Sequence, residues 1–245
     1  MSALSLSRVT LRPRLVGADG GWARLRDPYE LHRTLWRAFE GHGLAEGTPA
    51  PFLFRADRVR VGDEAHLKVL VQSELPADWS KLTEALVSVE GPKLLGPWLD
   101  EHAQAGAVLR FFLRANVTRS VKREGDERGA RGKRVAIESE PKQRAWLLSR
   151  CERLGVRVCE REAVVRDGRG QIVQRTSEPE LRTSNARVWR WGSARGERHG
   201  VHQGVDFEGL IEVVDAEKLR AAVESGVGPA KGMGFGLLSL ATLQR

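Results

Sequence analysis

Apolar positions along the chain change period several times, and each change marks an element. Residues 4–13 read as a strand. The repeat then becomes helical, with Leu31, Leu35 and Phe39 at i, i+4 and i+8. Asp27 is placed to cap this helix, Pro28 suits its first position, and Glu30 completes a capping-box-like start. The helix is expected to run to about Phe39. PFLFR at 51–55 and HLKVLVQ at 66–72 read as strands, 80–88 as a short helix, and a closing strand is expected within 92–100.

The second half repeats that order. A strand at 108–115 leads to a helix at about 140–154, capped by Ser139 and ended by Gly155. Strands at 156–165 and 203–214 follow, then a helix at 216–225 stopping at Gly226, and a last strand at 236–243. Residues 182–207 can form a hairpin with Gly192–Gly200 at its tip. The pattern predicts an α+β chain of tandem ferredoxin-like (βαββαβ) domains, residues 1–100 and 107–245, joined near 96–106.

Composition narrows the setting. The chain has 245 residues, 41% of them hydrophobic, enough for substantial cores without staples. Cys151 and Cys159 are too few for a disulfide framework or a four-ligand zinc site, and read as small core residues in a reducing cytoplasm. No apolar run approaches the ~20 residues of a membrane span. The start, MSALSLSRVTLRPR, lacks the order of a signal peptide, so a soluble, cytoplasmic protein is expected. The six histidines are scattered, and no metal or other cofactor is expected.

The net charge of +8 is concentrated. Residues 110–134 hold nine Lys/Arg against three Asp/Glu. A second basic stretch, 182–199, carries Arg182, Arg187, Arg190, Arg195 and Arg198 against Glu197 alone, interleaved by Trp189 and Trp191. A solvated charged face usually mixes signs, so these segments point to a polyanion, nucleic acid above all. A two-stranded ribbon bearing Arg187, Arg190 and Arg195 could enter a groove of a duplex.

Two constellations could carry chemistry. On the first helix, Tyr29, His32 and Trp36 lie within roughly 60° of one another, on the margin of the apolar stripe. A phenol and an imidazole with Arg33 and Arg37 nearby suit phosphodiester chemistry, although a lone helical histidine is more often structural. The second is the glycine loop from Gly226 to Gly236, which carries Lys231. It is neither a P-loop nor a dinucleotide fingerprint, because helix precedes strand. Its glycines allow close approach to another backbone or to a phosphate, and both uses fit.

Together these features resemble the CasE family, the CRISPR RNA-processing endoribonucleases of type I-E Cascade within the RAMP superfamily. The matching stretches are DPYELHRTLWRAF at 27–39, PFLFR at 51–55, VLVQS at 69–73, LRFFLRANVT at 109–118, GKR at 132–134, AWL at 145–147, and FEGLIEVVD followed by GVGPAKGMGFGLLSLA. The resemblance implies tandem ferredoxin-like folds and metal-independent cleavage of the CRISPR repeat transcript at the 3′ base of a stem-loop. The 2′-hydroxyl would attack the adjacent phosphorus, leaving a 2′,3′-cyclic phosphate and a 5′-hydroxyl. The product would stay bound beside other Cascade subunits.

The resemblance also assigns roles. His32 matches the family histidine, as acid on the leaving oxygen or base on the 2′-hydroxyl, and Tyr29 matches the family tyrosine. Arg37 stands where some members carry a catalytic lysine, and an arginine there acts electrostatically only. Lys133, Arg134, Arg187, Arg190 and Arg195 occupy stem-binding positions, and Arg33, Arg119 and Lys231 join them on position and charge. Two other readings stay open: a stem-binding Cascade subunit without chemistry, and a nucleotide-binding enzyme using the glycine loop.

Overall fold

The computed structural model describes residues 4–12, 27–45, 47–82, 85–122, 132–192 and 199–243. The first half runs Ser5–Leu11 (β1), Pro28–Trp36 (α1), Phe52–Val61 (β2), Glu64–Ser73 (β3) and Leu86–Leu94 (β4). Its sheet has the order β2-β3-β1-β4 with every neighbouring pair antiparallel. That order follows when a helix carries the chain from β1 to β2 and β3 returns between them, as in a ferredoxin-like unit. Leu31, Leu35 and Phe39 close the core over Val9, Leu11, Phe52, Phe54, Val69 and Val71.

Helix Leu95–His102 (α2) then leads into Val108–Asn116 (β5), Thr118–Val121 (β6), Lys133–Ala136 (β7), Glu140–Leu148 (α3) and Cys151–Leu154 (α4). Val156–Val158 (β8), Glu160–Arg166 (β9), Ile172–Pro179 (β10), Leu181–Gly192 (β11), His199–Val213 (β12), Ala216–Ser225 (α5) and Leu238–Thr242 (β13) complete the chain. The second sheet has the order β11-β12-β5-β13, with β8 also paired to β12. Taking β8, β12, β5 and β13 alone recovers the same ferredoxin-like order. Strands β6–β7 and β9–β10 form separate two-stranded ribbons. The second core gathers Phe111, Leu113, Trp146, Phe207, Leu219 and Val223, with the Trp146 and Phe207 rings stacked 6.2 Å apart.

Four local expectations are corrected. The first helix is α-helical only to Trp36, and Arg37–Phe39 tighten into a 3-10 turn. Residues 80–88 are not a helix: Trp79–Leu82 make one 3-10 turn, and the β-branched Val87 and Val89 already lie in β4. The closing strand is therefore Leu86–Leu94, and 95–102 is helix, its Pro97 tolerated in the first turn where no N–H bond is lost. Leu99 and Ala103 of this joining stretch pack into the second core, as does Leu4. Ser139 precedes α3 without making a side-chain cap. Gly155 ends α4 at φ +69°, where a Cβ would lie 2.3 Å from the Asp215 carbonyl oxygen.

Polar contacts lock the halves together along β2, an edge strand. Arg114 on β5 makes a bidentate pair with Asp206 (Nε–Oδ1 2.7 Å, Nη2–Oδ2 2.9 Å) within its own half. Its Nη1 also donates to the Ala56 carbonyl of β2 and pairs with Asp57, both at 2.9 Å. Arg55 bonds Asp57 and the Ser239 hydroxyl and lies over the Phe112 ring at 4.3 Å. Gln72 donates to the Val223 carbonyl at 2.7 Å. Burial opposes the Arg114 charge, but Asp206 and Asp57 outweigh it and raise its pKa. Arg114→Ala would leave Asp206 without its cation, and Asp57 with Arg55 alone, in a partly buried seam, an expected loss of about 3 kcal/mol. A lowered urea midpoint checks this, and Arg114→Lys is expected to restore only part of it, since an ammonium lacks the bidentate fork.

Candidate functional site

Helix α1 begins where its chemistry predicts. The Asp27 carboxylate accepts from the Tyr29 backbone N–H at 2.8 Å. Glu30 pairs with Arg33 one turn on. The helix buries Leu31 and Leu35, which leaves Tyr29, His32 and Trp36 half-buried along its margin.

His32 is held in an aromatic niche. Its ring centroid lies 5.3 Å from Phe52, 5.9 Å from Trp36 and 6.2 Å from Phe54. The glycine loop meets another edge of the ring: a Cβ at Gly232 would sit 3.6 Å from His32 Cε1 and 3.7 Å from Nδ1. Nδ1 is sealed there without a hydrogen-bond partner, so Nε2 is the nitrogen left for a substrate. Burial lowers the imidazole pKa, which keeps the ring neutral at pH 7. One side chain on the first helix is thus completed by backbone from the other end of the chain.

The glycine loop is built for that approach. Gly226 (φ +70°) and Gly234 (φ +84°) bring the backbone so near β2 that a Cβ would lie 2.7 Å from Leu53 Cδ1 and 3.1 Å from the Phe54 ring. Val227 donates to Gly236, and Gly236 donates to the Arg114 carbonyl, both at 2.8 Å. Ala230 adopts φ +63°, and Lys231–Met233 make a 3-10 turn. Gly226, Gly232 and Gly234 thus serve contact between backbone and protein, facing Leu53, His32 and Phe54.

The remaining candidates separate. Arg37 is exposed on the 3-10 turn, roughly 140° around the helix axis from His32. Arg33 is exposed and tied to Glu30 at 3.2 Å. Arg119, Lys133 and Arg134 are exposed on the β6–β7 ribbon, whose register puts Arg119 and Lys133 on one face and Arg134 on the other. The Lys231 ammonium donates to the Ser225 carbonyl at the end of α5. The 182–207 hairpin exists as β11–β12, with Arg190 opposite Val201 and Arg187 inside the register shift between Asn185 and Val188. Arg195 lies outside the described residues. Asp206 is engaged by Arg114, while His202 Nδ1 lies 3.2 Å from the Asn116 amide. Cys151 and Cys159 are free and half-buried, and burial pushes both thiol pKa values up.

Two groups escaped the motif search. Arg114 was visible within LRFFLRANVT, but its partners Asp57 and Asp206 lie far off in sequence. Arg150, Arg153 and Lys218 line a groove with Arg134 and Lys231, although none belongs to a basic run. Helix spacing of Arg150 and Arg153 was the available signal.

A histidine whose pKa falls on folding binds fewer protons than the unfolded chain. Its contribution to stability is complete above pH 6.5 and is lost as pH drops toward the folded value. Proton NMR of the His32 Cε1–H should titrate below 6.5 in the free protein. A non-cleavable RNA should move that midpoint upward, because phosphates favour the imidazolium. A free-protein midpoint at or above 6.5 would refute the apolar niche.

The geometry agrees with what comparison finds. A curated relative, the CRISPR-associated endoribonuclease Cse3 of Thermus thermophilus, is 39% identical over 217 residues, 89% of this chain and 91% of its own. The CRISPR system Cascade subunit CasE of Escherichia coli is 32% identical over 223 residues, 89% of this chain and 94% of its own. The structure of Thermus thermophilus Cse3 bound to an RNA representing a pre-cleavage complex superposes with a TM-score of 0.68 at 33% identity, covering 98% of this chain and 99% of that one. The family model for CRISPR associated protein matches residues 4–242. The chain belongs to that family, within its CasE (Cse3, Cas6e) branch, and has the tandem ferredoxin-like fold.

Proposed function

We propose that this protein is the endoribonuclease that matures CRISPR RNA and remains on its product as a Cascade subunit. The observation that carries this is His32: a neutral imidazole with Nδ1 sealed and Nε2 free, on a helix margin beside Tyr29. The likeness to an endoribonuclease seen with an RNA representing a pre-cleavage complex supports RNA as the substrate class. Residues 1–100 then form the unit that carries the chemistry, and 107–245 the unit that supplies the loop and most of the cations. The protein works in the cytoplasm. Among the described residues no helix is long and apolar enough to cross a membrane.

The reaction conserves atoms without water. A 2′-hydroxyl loses its proton and attacks the adjacent phosphorus, the P–O5′ bond breaks, and O5′ takes a proton. The products are a 2′,3′-cyclic phosphate and a 5′-hydroxyl. In this reading His32 Nε2 and the Tyr29 phenol carry the two proton transfers. Arg37 and Arg33 contribute positive potential near the phosphates. Arg119, Lys133, Arg134, Arg187, Arg190, Arg195 and Lys231 hold the stem, largely through its backbone.

Cleavage of a radiolabelled repeat hairpin in EDTA tests this. Wild type should cut once, at the 3′ base of the stem. His32→Ala should cut about 10²–10⁴-fold more slowly with unchanged affinity. Undiminished cutting by His32→Ala would make the histidine structural. Tight binding without cutting by either protein would leave a stem-binding subunit.

A further inference from the structure

Helices α4 and α5 and the glycine loop enclose a groove of about 550 Å³ whose charged lining is entirely cationic: Arg134, Arg150, Arg153, Lys218 and Lys231. These cations are positioned with care. The Arg150 guanidinium stacks 3.8 Å over the buried Trp146 ring and donates to the Trp146 carbonyl. Lys231 is anchored on the Ser225 carbonyl. Lys218 pairs with Asp215 at 3.2 Å. Arg134 and Arg153 are exposed and make no ion pair among the described residues. Burial and the like charge of Arg153 both lower the Arg150 pKa. Of the five cations only Lys218 has a carboxylate partner among the described residues, and the repulsion among the rest is an arrangement that a polyanion relieves.

The size of the groove restricts what that polyanion is. Its volume lies in the range of pockets that enclose small ligands, so it encloses the backbone of one strand and not both strands of a duplex. Its position narrows the choice further. Gly226, Gly228 and Lys231 wall the groove, and Gly232 of the same loop touches His32. The loop therefore borders both the groove and the His32 ring.

We infer that the groove binds backbone phosphates of the single-stranded RNA flanking the stem. The inference rests on the endoribonuclease reading and adds a site for RNA outside the hairpin. Two flanks offer the same chemistry, the strand leading into the stem and the strand beyond the cut.

The test uses full-length protein and RNAs blocked by a 2′-deoxy nucleotide before the cut: stem alone, stem with the 5′ flank, and stem with the 3′ flank. Wild type is compared with Arg153→Glu and with Arg153→Glu/Lys218→Glu, both at exposed positions, with thermal melting to show that each is folded. Affinity for one flanked RNA should fall about tenfold in Arg153→Glu and further in the double variant. Its log–log salt slope should shrink by about 0.7 per lost contact, the single-strand value. Stem-alone affinity should not change. The flank that responds identifies the strand. Equal losses on all three RNAs, or none on any, overturn the inference while leaving the nuclease assignment intact. Failure of wild type to bind even the stem would refute both.

Discussion

The site depends on where Arg114 places two pieces of backbone. Its side chain grips the Ala56 carbonyl and Asp57 on β2, and its own carbonyl receives the Gly236 N–H from the glycine loop. Strand β2 carries Phe52 and Phe54, and the loop carries Gly232; these three meet the His32 ring. One residue therefore sets two walls of the imidazole niche. Ion pairs in partly buried seams seldom add much net stability, because desolvation consumes most of the attraction. Their contribution here is registration. Apolar packing alone would let the halves slide, whereas a forked guanidinium between two carboxylates accepts one arrangement.

That registration also guards an exposed edge. β2 ends its sheet, and an unpaired strand edge invites pairing with another chain. Arg114 takes the Ala56 carbonyl, and the glycine loop crosses beside Leu53 and Phe54. The same contacts that close the niche cover part of the edge. Function and protection against association are served by one seam, which explains why its glycines tolerate so little side chain.

Much of this was legible in the residues. Asp27, Pro28 and the 31–35–39 stripe located α1 and the His32 margin, because capping and periodicity are local. Gly155 and Gly226 marked helix ends for the same reason. The joining stretch was misread because LLGPWLDEH has both strand-like apolar residues and an early proline, and the contact of Leu99 with the second core decides it as helix. The 80–88 segment is not helical because its end joins β4, where Leu86, Ser88 and Val89 pair with Leu11, Thr10 and Val9 of β1, partners that no local pattern shows. The Arg114 seam and the cationic groove were hidden for one reason: their members come from separate segments of the chain and meet only in the fold.

The contact between His32 and Gly232 spans two hundred positions of the chain. During synthesis the first helix leaves the ribosome some two hundred residues before the loop that completes its niche. Until then the imidazole lacks one wall and the seam that orders the others. A nascent chain can fold its first sheet around α1 and still present no finished catalytic centre to the RNA that surrounds it. The fold carries its own delay: the niche around His32 is complete only when the glycine loop has docked beside β2.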